Sequence, residues 1–154
     1  EDIPRSLTKM SKKEMSAELS AMHTRLLHAC TDIERIGDHG EALAKDARRM
    51  FEDDVKFSEE AKTELRALGE LVMQASGKAM EALANNDKVL AQEAWDICRQ
   101  VKKAQKEIRK NHIVRLNEKR CDPVAGFMMM EILINLKRVS DHSKNISQIV
   151  LGIF

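Results

Sequence analysis

An all-α fold, arranged as an antiparallel up-down four-helix bundle, is the class this 154-residue chain predicts, on three observations. Four long segments carry apolar residues three and four apart, the spacing of a helix with one buried face. Gly is 6 and Pro only 2, so the chain has few places to turn. No stretch alternates apolar and polar residues for long, and no Asn-Gly or Asp-Gly pair marks a hairpin.

The first helix is predicted over 11–50, with Ser11 and Glu14 as a capping box and Ser16 as a second candidate cap. Its stripe includes Met15, Leu19, Met22, Leu26, Ile33, Ile36, Gly40, Leu43 and Ala47. Ser58 caps the second helix, and Glu59 and Glu60 suit the positive end of its dipole. Its stripe runs Ala61, Leu65, Leu68, Val72, Ala75, Ala79, Ala82. Asn85-Asn86-Asp87 breaks the pattern and caps a third helix built on Leu90, Ala94, Ile97, Val101, Ala104 and Ile108. Asp122 and Pro123 open a fourth helix that runs almost to Phe154. Residues 1–10 read as a linker or the tail of an upstream helix, and 11–154 as the bundle. Short loops make sequential helices antiparallel neighbours.

Charged residues are 33 % of the chain and nearly cancel at +1, which argues against a general nucleic-acid or membrane-surface binder. Aromatics are 3 %, so stacking platforms for bases are lacking. The basic stretch from Lys102 to Arg120 reads as a solvated helix end that complements the helix dipole. Cys30, Cys98 and Cys121 form no CxxC and read as reduced thiols. No 18-residue apolar run is present. The start at Glu1, without Met, suggests a fragment or a processed product.

One short stretch occurs twice. Residues 32–44 read D-I-E-R-I-G-D-H-G-E-A-L-A and residues 135–147 read N-L-K-R-V-S-D-H-S-K-N-I-S, at a constant offset of 103. Arg35 matches Arg138, Asp38 matches Asp141, and His39 matches His142. A core explains a repeated apolar stripe, but not a repeated Arg-x-x-Asp-His. At about 100° per residue, a stripe centred on Ile33 and Ile36 sends Arg35, Asp38 and His39 outward. The fourth helix sends Arg138, Asp141 and His142 outward in the same way. Gly37, Gly40, Ser140 and Ser143 fall towards the stripe, where small residues permit close packing. The six polar residues are expected to form two related docking patches at a similar level. The rival is a structural clasp in which Arg35 pairs with an acid on another helix, or a solvated ion pair worth about 0.3–0.5 kcal/mol.

Glu34 and Asp38, one helical turn apart, can offer two hard oxygen ligands to a divalent cation, but a second helix must complete the site. The other copy has Lys137 where Glu34 stands, and an ammonium repels a cation. No His has Glu three residues before it, which argues against a ferritin-like di-iron centre. A nucleophile elbow, a P-loop and a G-x-G-x-x-G are all absent.

These residues resemble the PhoU family, whose motif helix reads like D-L-E-R-I-G-D-H-A-x-N-I-A. The stretch N-H-I-V-R-L-N-E-K-R-C-D-P-V-A-G-F at 111–127 is similar to the PhoU-like domain at the C-terminus of bacterial Na+/phosphate cotransporter family proteins. The similarity covers about Leu7 to Gly152. It implies two three-helix repeats, of which this chain would hold the motif helix of the first (11–50) and the complete second (58–154). The missing helices would lie upstream, after a membrane-embedded transporter. It implies metal sites on the outer surface, carried over only to Glu34 and Asp38. In the second repeat Lys137 replaces the acid, and Cys98 and Lys102 stand where a second acidic pair is common, so that site is expected to be lost. The implied function is regulation of phosphate uptake without catalysis, by a cytoplasmic domain of an inner-membrane transporter. Implied partners are the parent's membrane domain or a phosphate-signalling protein, with a homodimer allowed and no nucleic acid. No cofactor is expected beyond a weakly held divalent ion. The alternatives are a surface metal-binding protein using Glu34 and Asp38, and a small enzyme using the same carboxylates.

Overall fold

Residues 17–153 are described by the computed structural model, and among them every regular element is a helix: α1 Ala17–Glu52, α2 Glu59–Asn85, α3 Lys88–Asn117 and α4 Pro123–Leu151. The expected linker at 1–10 and the caps at Ser11, Glu14 and Ser16 lie outside the described residues. No helix among the described residues is long and apolar enough to cross a membrane.

The helix boundaries follow from their caps. Ser58 Oγ accepts from the Ala61 amide at 3.2 Å. One Asp87 carboxylate oxygen accepts from the Val89 and Leu90 amides, and Asp122 does the same for Val124 and Ala125 ahead of Pro123. Asn86 stops α2 in the left-handed region at φ 51°, and Gly152 stops α4 at φ 74°.

The core lies among α2, α3 and α4, each of which packs on the other two. Its thick layer holds Leu68, Val72, Val101, Ile108, Met129 and Leu133. Full burial of one such Leu or Met contributes about 1.5–3 kcal/mol. Towards the Asn86 turn the core narrows to Ala79, Ala94 and Ile146, then to Ala82, Ala91 and Val150. The α2 stripe is buried as expected, with Leu65 half-buried. On α3 Ala94, Val101 and Ile108 are buried as expected, but Leu90, Ile97 and Ala104 are half-buried, and Ala91, Cys98, Gln105, His112 and Arg115 are inside as well. Ser143 and Ser147 are fully buried on α4 and satisfy their hydroxyls on the carbonyls of Val139 and Ser143.

Helix α1 departs from the closed bundle. Its backbone approaches that of α4 alone, and not that of its chain neighbour α2. The result is a three-helix unit with α1 laid along the outside of α4. Only Ala29 and Asp32 of α1 are fully buried. Ile33, the expected centre of its stripe, is 40 % exposed. Gly37 and Gly40 do not mediate close packing among the described residues either, since a methyl group added at either would meet none of them within 4 Å.

Candidate functional site

The repeat meets itself where α1 crosses α4. Asp32 and Asn135 are equivalent at the offset of 103, as are His39 and His142. His142 Nδ1 lies 2.7 Å from Asp32 Oδ1, and His39 Nδ1 lies 3.0 Å from Asn135 Oδ1. Higher numbers on α1 meet lower numbers on α4, so the helices are antiparallel and the two bonds are related by a local two-fold. The imidazoles stack at the centre, with centroids 5.7 Å apart and planes 24° from parallel.

The proton positions follow from the partners. A carboxylate only accepts, so His142 Nδ1 donates to Asp32. Asn145 Nδ2 donates to the same oxygen at 3.1 Å. Asn135 turns its Nδ2 towards Asp46 Oδ2 at 3.4 Å, which leaves its oxygen to accept from His39 Nδ1. A hydrogen bond to a charged group contributes about 1.5–3 kcal/mol when it is shielded from water. Asp32 is 8 % exposed, so its bonds are largely shielded from water.

This geometry corrects the expected outward set. His39 and His142 point into the α1–α4 contact and form a clasp. The stripe of α1 was centred on Ile33 and Ile36, but the face on α4 runs through Ala29, Asp32, Ile36 and His39. At 100° per residue that is a rotation of about 50°. Arg35 and Asp38 do face solvent, paired to each other at 3.3 Å within α1, so Arg35 makes no link to another helix. Arg138 is exposed. Asp141 is half-buried beside α3 and pairs with Lys137. The sequence reading passed over Asp32, Asn135, Asp46 and Asn145. Asp32 and Asn135 were findable, because the offset of 103 aligns them, and Asp32 stands three residues after Ala29 and four before Ile36, where a contact face ordinarily carries an apolar residue.

Glu34 and Asp38 are both exposed on a face of α1 that no described helix covers. Among the described residues no group of three or more His, Cys, Asp or Glu is placed to hold a metal. The equivalent face of the second repeat offers Cys98, Lys102, Lys137 and Asp141, a donor set unsuited to a cation. Cys98 is no nucleophile: burial pushes its thiol pKa up, and the thiol donates to the Ser140 carbonyl at 3.4 Å.

The far end of α3 holds a second polar cluster. Arg115 is 5 % exposed and bonds Glu64 Oε2 at 2.7 Å, so this member of the basic stretch is not a solvated helix end. Asn111 donates to the other oxygen of Glu64. His112 is 1 % exposed, and among the described residues neither ring nitrogen has a hydrogen-bond partner of good geometry. Burial, and then the charge of Arg115, hold its pKa below the ordinary value.

The PhoU domain family model matches residues 65–150. The chain is 27 % identical over 128 residues to a Thermotoga maritima protein named phosphate-specific transport system accessory protein PhoU homolog 1. That match covers 83 % of this chain and 54 % of the relative, so the chain spans about half the length of that curated relative. A crystal structure of PhoU from Pseudomonas aeruginosa superposes with a TM-score of 0.83 at 20 % identity, over 99 % of this chain and 78 % of that one. At that identity the likeness speaks for the fold.

Proposed function

This chain belongs to the PhoU family, and on that premise we propose that it is a non-catalytic regulatory domain of phosphate transport, working by contact with a partner protein. The observation that carries the reading is the bare side of α1. The backbone of that helix approaches α4 alone among the described helices; Met22 and Leu26, which share an open groove with Leu83, Ile149 and Val150, and Ile33 are 54, 38 and 40 % exposed. An exposed apolar stripe is a recurrent form of protein contact surface. Arg35 and Asp38 are exposed on a separate face of α1, with Arg138 on α4 completing the exposed part of the repeated motif.

The division of labour follows from the geometry. The histidine clasp holds α1 on α4, and Arg35, Asp38 and Arg138 are exposed on that fixed frame. In this reading the partner is the membrane domain of a phosphate transporter, the Na+/phosphate type suggested by 111–127, or a phosphate-signalling protein, and the domain works on the cytoplasmic side. The relative's name, an accessory protein of phosphate-specific transport, supports the same reading.

The test uses the full-length gene product in cells. Arg35→Glu and Arg138→Glu alter exposed charges, and such changes shift stability by less than about 0.5 kcal/mol. The expected result is a normal level of folded protein with phosphate uptake no longer adjusted to external phosphate. Normal regulation in both variants, with normal folding, would remove the docking surface from the account.

A further inference from the structure

A groove of about 220 Å³ lies between α3 and α4, and its charge is the reverse of a metal site. Arg99, Lys102, Lys137 and Lys144 line it, with Asp141 as its only carboxylate. Two of these cations are neutralised locally. Arg99 bonds Asp96 Oδ1 at 2.7 Å, and Lys137 pairs with Asp141. Lys102 and Lys144 have no ion pair among the described residues. Two positive charges are therefore left uncompensated around one concavity.

The floor strengthens their effect. Cys98, Val101 and Ser140 are buried beneath the groove, so charges at its mouth act across a low-dielectric wall that focuses their field. Arg99 is also held in place, its guanidinium carbon 5.5 Å from the centroid of Trp95, which lines the same groove. A cation is repelled here, since the one carboxylate is already bound to an ammonium. The volume is below the roughly 300–1,000 Å³ of pockets that enclose drug-sized molecules, and suits a group of a few atoms.

We propose that the α3–α4 groove binds a dianionic tetrahedral oxyanion, phosphate either free or as a monoester, between Lys102, Lys144 and Arg99. Two charges on the ligand match the two left unpaired, and a tetrahedral oxyanion offers acceptors in several directions to amines from two helices. The proposal is independent of the docking role, because the groove includes neither Arg35 nor Arg138.

Trp95 is the only tryptophan of the chain, so its emission reports the groove directly. This chain is titrated at constant ionic strength with inorganic phosphate and, separately, with phosphoserine. A saturating change with a midpoint below about 1 mM is expected for at least one of them. Lys102→Gln with Lys144→Gln is expected to raise that midpoint at least tenfold, while Lys106→Gln with Lys110→Gln, the same charge change elsewhere on α3, leaves it in place. Response to inorganic phosphate assigns the free ion, and response to phosphoserine alone assigns a monoester. Circular dichroism checks that the variants keep their helix content, and the single variants serve if the double one does not. No saturable response to either probe, or an equal response in the folded Lys102/Lys144 variants, overturns the proposal.

Discussion

Replacing Asp32 with Ala should release α1 while leaving the rest of the molecule intact. Asp32 is 8 % exposed, and its carboxylate accepts two hydrogen bonds, from His142 Nδ1 at 2.7 Å and Asn145 Nδ2 at 3.1 Å. Each such bond to a charged acceptor contributes about 1.5–3 kcal/mol in a dry setting. His142 still shows 21 % of its side chain to solvent, so it recovers part of its loss from water. A net cost of about 2 kcal/mol follows, or about 30-fold in the opening equilibrium of α1. Because the backbone of α1 approaches that of α4 alone among the described helices, that cost falls mainly on one helix and not on the core of α2, α3 and α4. Native-state hydrogen exchange reads both. Amides of 29–46 should exchange about 30-fold faster, with those of α2 and α3 unchanged. The His142→Ala variant should give a similar pattern, and the double variant less than the sum, since the two share one bond. Unchanged exchange in α1, or equal acceleration in all four helices, would refute the clasp.

Three further outcomes follow from the same geometry. The pKa of His112 is held down by burial, so the unfolded chain takes up its proton first; the stability this residue allows is complete above about pH 6.5 and falls as pH drops towards the folded pKa. Urea denaturation at pH 7.5 and 5.5 should show that loss, and His112→Leu should diminish it. Glu64→Ala strands the buried Arg115 guanidinium and should cost about 3 kcal/mol by the same denaturation assay. Gly37→Ala adds a methyl that meets none of the described residues within 4 Å in the middle of a helix and should stabilise by about 0.5–1 kcal/mol, whereas a loss would show that this face is packed.

The sequence alone was enough for the helices, their order and most of their ends, because caps and turns are local chemistry. Ser58, Asp87 and Asp122 bond amides two or three residues away, and Asn86 needs only its own φ. The buried face of α2 was legible for a related reason: it is enclosed by α3 and α4, and an enclosed helix must show a full apolar stripe. The offset of 103 likewise exposed the duplicated motif and, through it, the family. Orientation was another matter. A helix that touches one neighbour needs only a narrow contact, so the apolar residues of α1 do not mark it, and Asp32 and His39 occupy it instead of Ile33. Their burial is tolerable only because α4 supplies His142, Asn145 and Asn135 at the right height. The same holds for Arg115, admitted to the interior by Glu64 from another helix, and for the cationic groove, whose lysines come from α3 and α4. A polar residue is placed by its partner, and the partner, more than forty residues away in the chain, is chosen by the tertiary fold.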